Sequence, residues 1–226
     1  MELSIDTSTA WGGVALSQQG ELLAETVWKP GQNHTVELYP TLSYLLKTTG
    51  IDLRSITAVF VAIGPGSFNG LRAGISAAKG LCFALNIPLK GVSTLAIEAY
   101  PFAFTTLPIC PLHDAGRGEL TAALYKFDNG WQYLKDEHLT TFDKLSEEIN
   151  EKTVLCGELS EDSFAFLKLL LGERALIPRP AARQRRPSLL AALGWQHLQA
   201  EGADDLATLQ PIYLRQPPIT QRKKRH

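Results

Sequence analysis

I-G-P-G-S-F-N-G-L-R-A-G-I-S-A-A-K-G, residues 63–80, decides how this chain is read. Ahead of it, residues 56–63 run I-T-A-V-F-V-A-I, apolar and rich in β-branched side chains, the pattern of a buried strand. Behind it, residues 71–85 hold no proline and few β-branched residues, which predicts a helix. Gly64, Pro65, Gly66 and Gly70 sit between, with Ser67 and Asn69. Glycine lets backbone N–H groups turn outward and lets another group come close. A glycine-rich turn feeding a helix N-terminus is a ready anion site, because orphan N–H groups and the helix dipole face the ligand. A tight β–α connection without a ligand fits the same residues. No Gly-Lys-Ser/Thr closes the loop, so it is not a Walker A loop, and the G-x-G-x-x-G spacing of a dinucleotide site is absent.

Working upstream, residues 2–7, 11–17 and 21–28 read as three strands of a meander, with the turn at Gln18-Gln19-Gly20. Asp6 stands where the first strand ends, either as a turn former or as a ligand of a metal–phosphate group. A helix is expected over 34–47, N-capped by Asn33, with Leu38, Leu42, Leu45 and Leu46 on one stripe. Pro40 inside it should kink it or delay its start. Downstream, a strand over 88–92 precedes a helix capped by Ser93 or Thr94 and reaching Tyr100. Residues 101–111 carry three prolines and mark a boundary. Strands are then expected at 107–113, 120–127, 131–134 and 153–156, with Asp128-Asn129-Gly130 as a turn, and helices at 141–149, 161–171 and 188–200. The order repeats strands then helices, which hints at an internal duplication. The division drawn from this is an N-terminal lobe 1–104, a smaller C-terminal lobe 105–214 and a basic tail 215–226 read as disordered. The fold class is α/β, two-lobed, each lobe a mixed sheet with flanking helices.

Composition narrows the class. Apolar residues make up 45% of 226, enough for a soluble globular core. No apolar run approaches the roughly 18 residues that span a bilayer, and no basic n-region and h-region open the chain, so neither membrane nor signal peptide is expected. Cys82, Cys110 and Cys156 are odd in number and far apart, consistent with free buried thiols and a cytoplasmic protein. The net charge of -1 says nothing about nucleic acid. Basic residues do cluster late, at Arg179, Arg183, Arg185 and Arg186 and again at Arg215, Arg222, Lys223, Lys224 and Arg225. These clusters are either phosphate contacts or a solvated loop and a solubilising tail.

Four motifs occur in register: I-D-T-S at the start, G-P-G-S-F-N-G-L-R-x-G, the block Asp114-Ala115-Gly116-Arg117-Gly118-Glu119, and Pro211-Ile212-Tyr213-Leu214-Arg215. Together they resemble the TsaB (YeaZ) family of bacterial tRNA threonylcarbamoyladenosine biosynthesis proteins, over roughly residues 1–215. The resemblance implies the actin and sugar-kinase ATPase-like fold. It also implies a non-catalytic partner of TsaD, the larger relative that moves threonylcarbamoyl from its adenylate to N6 of the adenosine beside the anticodon. An ATPase, TsaE, joins them, and tRNA is met through the complex. No cofactor is then bound by this chain alone, and ATP or ADP belongs only to the assembled complex.

Two further observations bear on that role. TsaD-like chains follow the strand ending Gly-Val with an H-x-x-x-H helix, whose histidines share one face and bind a metal. Here Thr94 and Glu98 stand in those places, and the five histidines, His34, His113, His138, His197 and His226, show no ligand spacing, so no metal site is expected. The first alternative is a self-sufficient sugar-kinase-like ATPase, holding phosphate with Asp6, Thr7 and Ser8 and the loop of Gly64, Gly66 and Ser67. The second, a glycoprotease-like hydrolase, lacks H-E-x-x-H and G-x-S-x-G. For the partner surface, Gly70, Gly74, Ala77, Ala78 and Leu81 fall at helical spacing, and small residues let another helix approach closely. His34, Leu38, Tyr39, Leu42 and Leu46 of the preceding helix would complete a flat apolar patch. The resemblance implies that TsaD, or a second copy in a homodimer, docks there.

Overall fold

The computed structural model describes residues 1–29, 34–128 and 130–215, without the side chains of His34 and Thr35. Asn33 as a cap, Asn129 in its turn and most of the basic tail lie outside the described residues. The first half builds β1 (Glu2–Asp6), β2 (Gly12–Gln18), β3 (Glu21–Trp28), α1 (His34–Thr49), β4 (Ala58–Ala62), α2 (Phe68–Leu85), β5 (Leu89–Val92) and α3 (Thr94–Ala99). The second builds β6 (Ile109–Gly116), β7 (Glu119–Phe127), β8 (Trp131–Thr141), α4 (Phe142–Glu148), β9 (Thr153–Glu158), α5 (Glu161–Leu171), β10 (Ala175–Leu176) and α6 (Pro187–Glu201).

The sheets run β3-β2-β1-β4-β5 and β8-β7-β6-β9-β10, which is one topology twice. In each, an antiparallel meander is followed by two parallel strands. The expected two-lobed α/β fold and the internal duplication are both present. β4 reads A-V-F-V-A and is buried at every position, because helices cover both of its faces.

Residues 107–134 hold one longer element than the spacing suggested. β8 continues to Thr141, as an edge strand whose exposed residues mix polar Gln132, Lys135 and Asp136 with Tyr133 and Leu134. α1 starts at His34 and runs straight through Pro40. The missing N–H there leaves the carbonyl of Val36 without its helical donor. Val36 and Pro40 are both exposed, so water can serve it.

Packing makes five layers. α1 and α2 cover the outer face of the first sheet, burying Leu38, Leu42, Leu45, Ile75, Ala77 and Ala78 against Leu3, Ile5, Val59 and Val61. α4 and α5 do the same for the second sheet through Leu145, Phe164 and Leu167. The layer between the sheets is α3 and α6, with Leu95, Ile97, Leu190 and Leu193 among Phe60, Ile109, Tyr125 and Val154. The halves exchange these helices: α3 packs on β6, β7 and β9, and α6 packs across β1 to β5. A cut at 104/105 divides the sheets along the chain, while the covering helices cross it. Gly194 is required in this layer, since a Cβ there would strike the Phe60 ring. No described helix is long and apolar enough to cross a membrane.

Candidate functional site

The strand ends of both sheets open into one cleft of about 710 Å3 between the lobes. Thr9, Ser67 and Phe68 line it from the first lobe, and His113, Asp114, Thr121 and Glu158 from the second. The segment 211–215 forms the remaining wall. Ile212 N–H donates to Ile63 O at 2.7 Å, and the Tyr213 ring lies 5.3 Å from the Phe68 ring. Arg72 Nε donates to Tyr213 Oη at 3.2 Å, and Arg215 pairs with Glu119 across the mouth. The fourth motif is therefore a strap from the first lobe to the second. It takes no regular secondary structure.

The inner end of the cleft is filled by the chain itself. Asp6 Oδ1 accepts from Ser8 N–H at 3.0 Å and Ser8 Oγ at 2.7 Å, an Asx turn that holds the strand end. Its other oxygen accepts from Arg185 Nε at 2.6 Å. Arg185 Nη1 lies 3.0 Å from Glu98 Oε1 and 3.2 Å from Glu158 Oε1, and Nη2 donates to Thr9 Oγ1 at 2.6 Å. Glu98 Oε2 meets His113 Nε2 at 2.7 Å. Burial works against the Arg185 charge, and Asp6, Glu158 and Glu98 outweigh it, lifting the pKa above its ordinary value. Arg185, Asp6 and Glu98 are buried side chains, while Glu158, with Thr9 and His113, lines the cleft. Among the described residues no group of three or more His, Cys, Asp or Glu is arranged to hold a metal.

The glycine pattern has an internal cause. Gly66, Gly70 and Gly74 are spaced one helical turn apart along the start of α2, and the end of β1 lies against them. A Cβ at Gly66 would collide with Ser8 O, at Gly70 with Thr7 O and at Gly74 with Thr7 Oγ1. Ser67 N–H donates to Ser8 O at 2.6 Å, and Thr7 Oγ1 donates to Gly70 O at 2.7 Å. Gly64, at φ +105°, turns the strand toward the helix. Thr7, Ser8, Gly66, Ser67 and Gly70 thus lie against one another, Asp6 is held by Ser8 and Arg185, and Gly64 is bonded to Thr94.

Several expectations need correction. Leu38, Leu42, Gly70, Gly74, Ala77 and Ala78 are interior, packed under the helices and not on the outer face. Small residues on α2 admit the protein's own first strand, which spacing alone cannot distinguish from a partner helix. Leu46 and Leu81 are half-buried, and Tyr39 is exposed. The outward apolar residues are Val36, Tyr39 and Tyr44 of α1 and Phe83 of α2. The late arginine cluster is not a free phosphate-binding patch either. Arg183 is buried over the Phe164 ring and paired with Glu161, Arg185 is enclosed, and Arg186 is paired with Glu25.

The sequence reading also missed that His113, Glu158 and Arg185 belong to one group. The signal was faint: three residues far apart in the chain, one inside β6, one ending β9 and one in the loop before α6. Thr94 and Glu98 take separate tasks, since Thr94 Oγ1 accepts from Gly64 N–H at 3.1 Å. The cysteines are free and buried, and burial pushes the Cys82 thiol up to about 11.

Comparison with known proteins places this geometry. The model of the TsaD family, tRNA N6-adenosine threonylcarbamoyltransferase, matches residues 22–204. The chain is 33% identical over 218 residues to the tRNA threonylcarbamoyladenosine biosynthesis protein TsaB of Bacillus subtilis, covering 94% of this chain and 93% of that protein. The solved structure of YeaZ from Pseudomonas aeruginosa superposes with a TM-score of 0.77 at 22% identity, over 94% of this chain and 99% of that one. The ethanolamine utilization protein EutJ from Carboxydothermus hydrogenoformans shares the fold more distantly, with a TM-score of 0.53 at 12% identity over 85% and 89%. A match of this identity across nearly its whole length means that the chain belongs to the TsaB family, on the two-lobed fold of the actin-like ATPases.

Proposed function

We propose that this protein is the non-catalytic partner of a TsaD-like enzyme in the cytoplasm. It supports transfer of threonylcarbamoyl from its adenylate to N6 of the adenosine next to the tRNA anticodon. The observation that carries the reading is the inner end of the cleft. The strand-end aspartate that would face a metal–phosphate group is enclosed by Arg185, and Glu98 is bound to Arg185 and His113. Asp6 accepts three hydrogen bonds from Ser8 and Arg185, which commits it to holding the fold in place of facing a substrate. The family relationship supplies the reaction, and in this reading the buried Asp6 and Glu98 serve structural ion pairs.

The docking surface in this reading is the outer face of α1 and α2, where Val36, Tyr39 and Tyr44 of α1 and Phe83 of α2 are exposed. Exposed aromatic side chains of this kind are typical anchors of an interface. A TsaD-like chain takes that face in the complex, and a second copy takes it in its absence. A TsaE-like ATPase and tRNA join through the complex, and ATP or ADP binds only there. The test is reconstitution. TsaD-like enzyme, TsaE-like ATPase, tRNA and threonylcarbamoyl-adenylate should give modified tRNA only when this chain is added, and this chain alone should give none. Modification by the chain without a partner would refute the reading.

A further inference from the structure

We infer that Arg185 is an internal ligand, which fills the inner end of the interlobe cleft and fastens the two lobes at one angle. This goes beyond the partner reading and does not depend on it. The residues it joins come from every part of the fold. Asp6 ends β1 of the first lobe, Thr9 lies in the turn that follows it, and Glu158 ends β9 of the second. Glu98 is on α3, the helix of the first half that packs on the second sheet. His113, on β6, reaches the same carboxylate from the other side. One guanidinium thus ties both sheets and a covering helix, 2.6 to 3.2 Å from each partner. Its fork geometry lets three carboxylates share one cation, Asp6 at Nε and Glu98 and Glu158 at Nη1, which an ammonium does less well.

The position of Arg185 in the chain explains how the clasp is held. It stands two residues before Pro187, which opens α6, and α6 lies across the first sheet. The guanidinium is therefore delivered by a helix anchored on the first lobe. Thr9 Oγ1 closes the ring by donating to Glu158 Oε1 at 2.8 Å. Three buried or half-buried carboxylates repel one another strongly without a cation between them. Such a cluster holds its shape only while Arg185 is present, so the cleft stays closed at its inner end with no bound ligand. The strap 211–215 crosses only the outer mouth, through exposed contacts of Arg72 and Arg215.

The test reads the angle between lobes. Cysteines at Lys47 on α1 and Lys144 on α4, both exposed, carry nitroxide labels, and the native cysteines are buried. With Arg185 in place, pulsed electron spin resonance should give one narrow distance. Arg185→Met should broaden it at least about twofold and lower the melting temperature by roughly 10 °C, the scale for breaking a buried ion pair in a chain of this size. Arg185→Lys should fall between. Should Arg185→Met fail to fold, Glu158→Gln removes only the contact to β9 and should still broaden the distribution. A folded Arg185→Met, or a folded Glu158→Gln in its place, that keeps the narrow single distance overturns the inference.

Discussion

Asp6 and Asp114 close the inner strands of two sheets with the same order, and they are used in opposite ways. Asp6 is buried and shared between Ser8 and Arg185. Asp114 is exposed and accepts only from Gly116 N–H, at 2.7 Å, in its own hairpin turn. The difference arises from what lies above each strand. Over β1, α2 presents Gly66, Gly70 and Gly74, so Thr7 and Ser8 pack directly against it and Asp6 is drawn inward. In the second sheet the strand end leads straight into the turn at Gly116 to Gly118, and its side chains meet solvent in the cleft. The outer helices differ in the same sense: α1 and α2 have 16 and 18 residues, α4 and α5 only 7 and 11. One topology therefore serves as a rigid, helix-covered platform on one side and a smaller closing lobe on the other.

The contrast is broken most sharply at the glycines of α2. Gly70→Val drives a side chain into Thr7 O, and neither backbone can give way without opening the first lobe. We expect a loss of at least about 3 kcal/mol, or roughly 6–12 °C in melting temperature. Gly80 lies on the same helix with nothing within 4 Å of an added Cβ. Gly80→Ala should be neutral or stabilising by about 0.5–1 kcal/mol through helix propensity alone. If both behave alike, the close approach of β1 is not what these glycines are for.

The second contrast is between outer faces. Tyr44→Glu and Phe83→Glu change exposed residues of the first lobe, and Leu169→Glu changes an exposed residue of the second. All three should fold with stability within about 0.5 kcal/mol of the parent. The first two should weaken binding of a TsaD-like partner at least tenfold, about 1.4 kcal/mol, and the third should leave it unchanged. Titration calorimetry against the partner decides. Equal loss from both lobes would move the interface.

The smallest effect belongs to the second lobe alone. Burial raises the Glu148 carboxyl, and hydrogen bonds from Lys135, His138 and Thr140 more than offset this, leaving it below its ordinary 4.5. A carboxyl whose pKa is lower folded than unfolded adds stability above the unfolded value. That stability is lost as pH falls from about 4.5 through the folded value. Glu148→Gln should therefore flatten the acid limb of the stability profile, lowering stability at pH 7 to 8, where the charged carboxyl contributes, and changing it little below the folded value. An unchanged acid limb in thermal melts would show that the Lys135–Glu148–His138 cluster holds nothing.

Much of this was legible in the residues. Alternating and apolar runs marked the strands, Ser93 marked a helix start by capping, and the repeat of strands then helices announced two lobes of one design. These are local signals, because backbone hydrogen bonding and side-chain alternation act between neighbours. The four motifs in register located the family for the same reason: each is a short stretch whose spacing survives without knowledge of contacts. What the glycines, the arginines and the small residues of α2 were for was decided only by tertiary structure. Gly70 reads identically whether an anion, a partner helix or Thr7 O fills the space beside it. Arg185 reads as part of a basic loop until folding carries it next to Asp6, 179 residues away in sequence. A charge or a missing side chain states a capacity for contact, and only the packed chain determines which group, from its own interior or from outside, meets it.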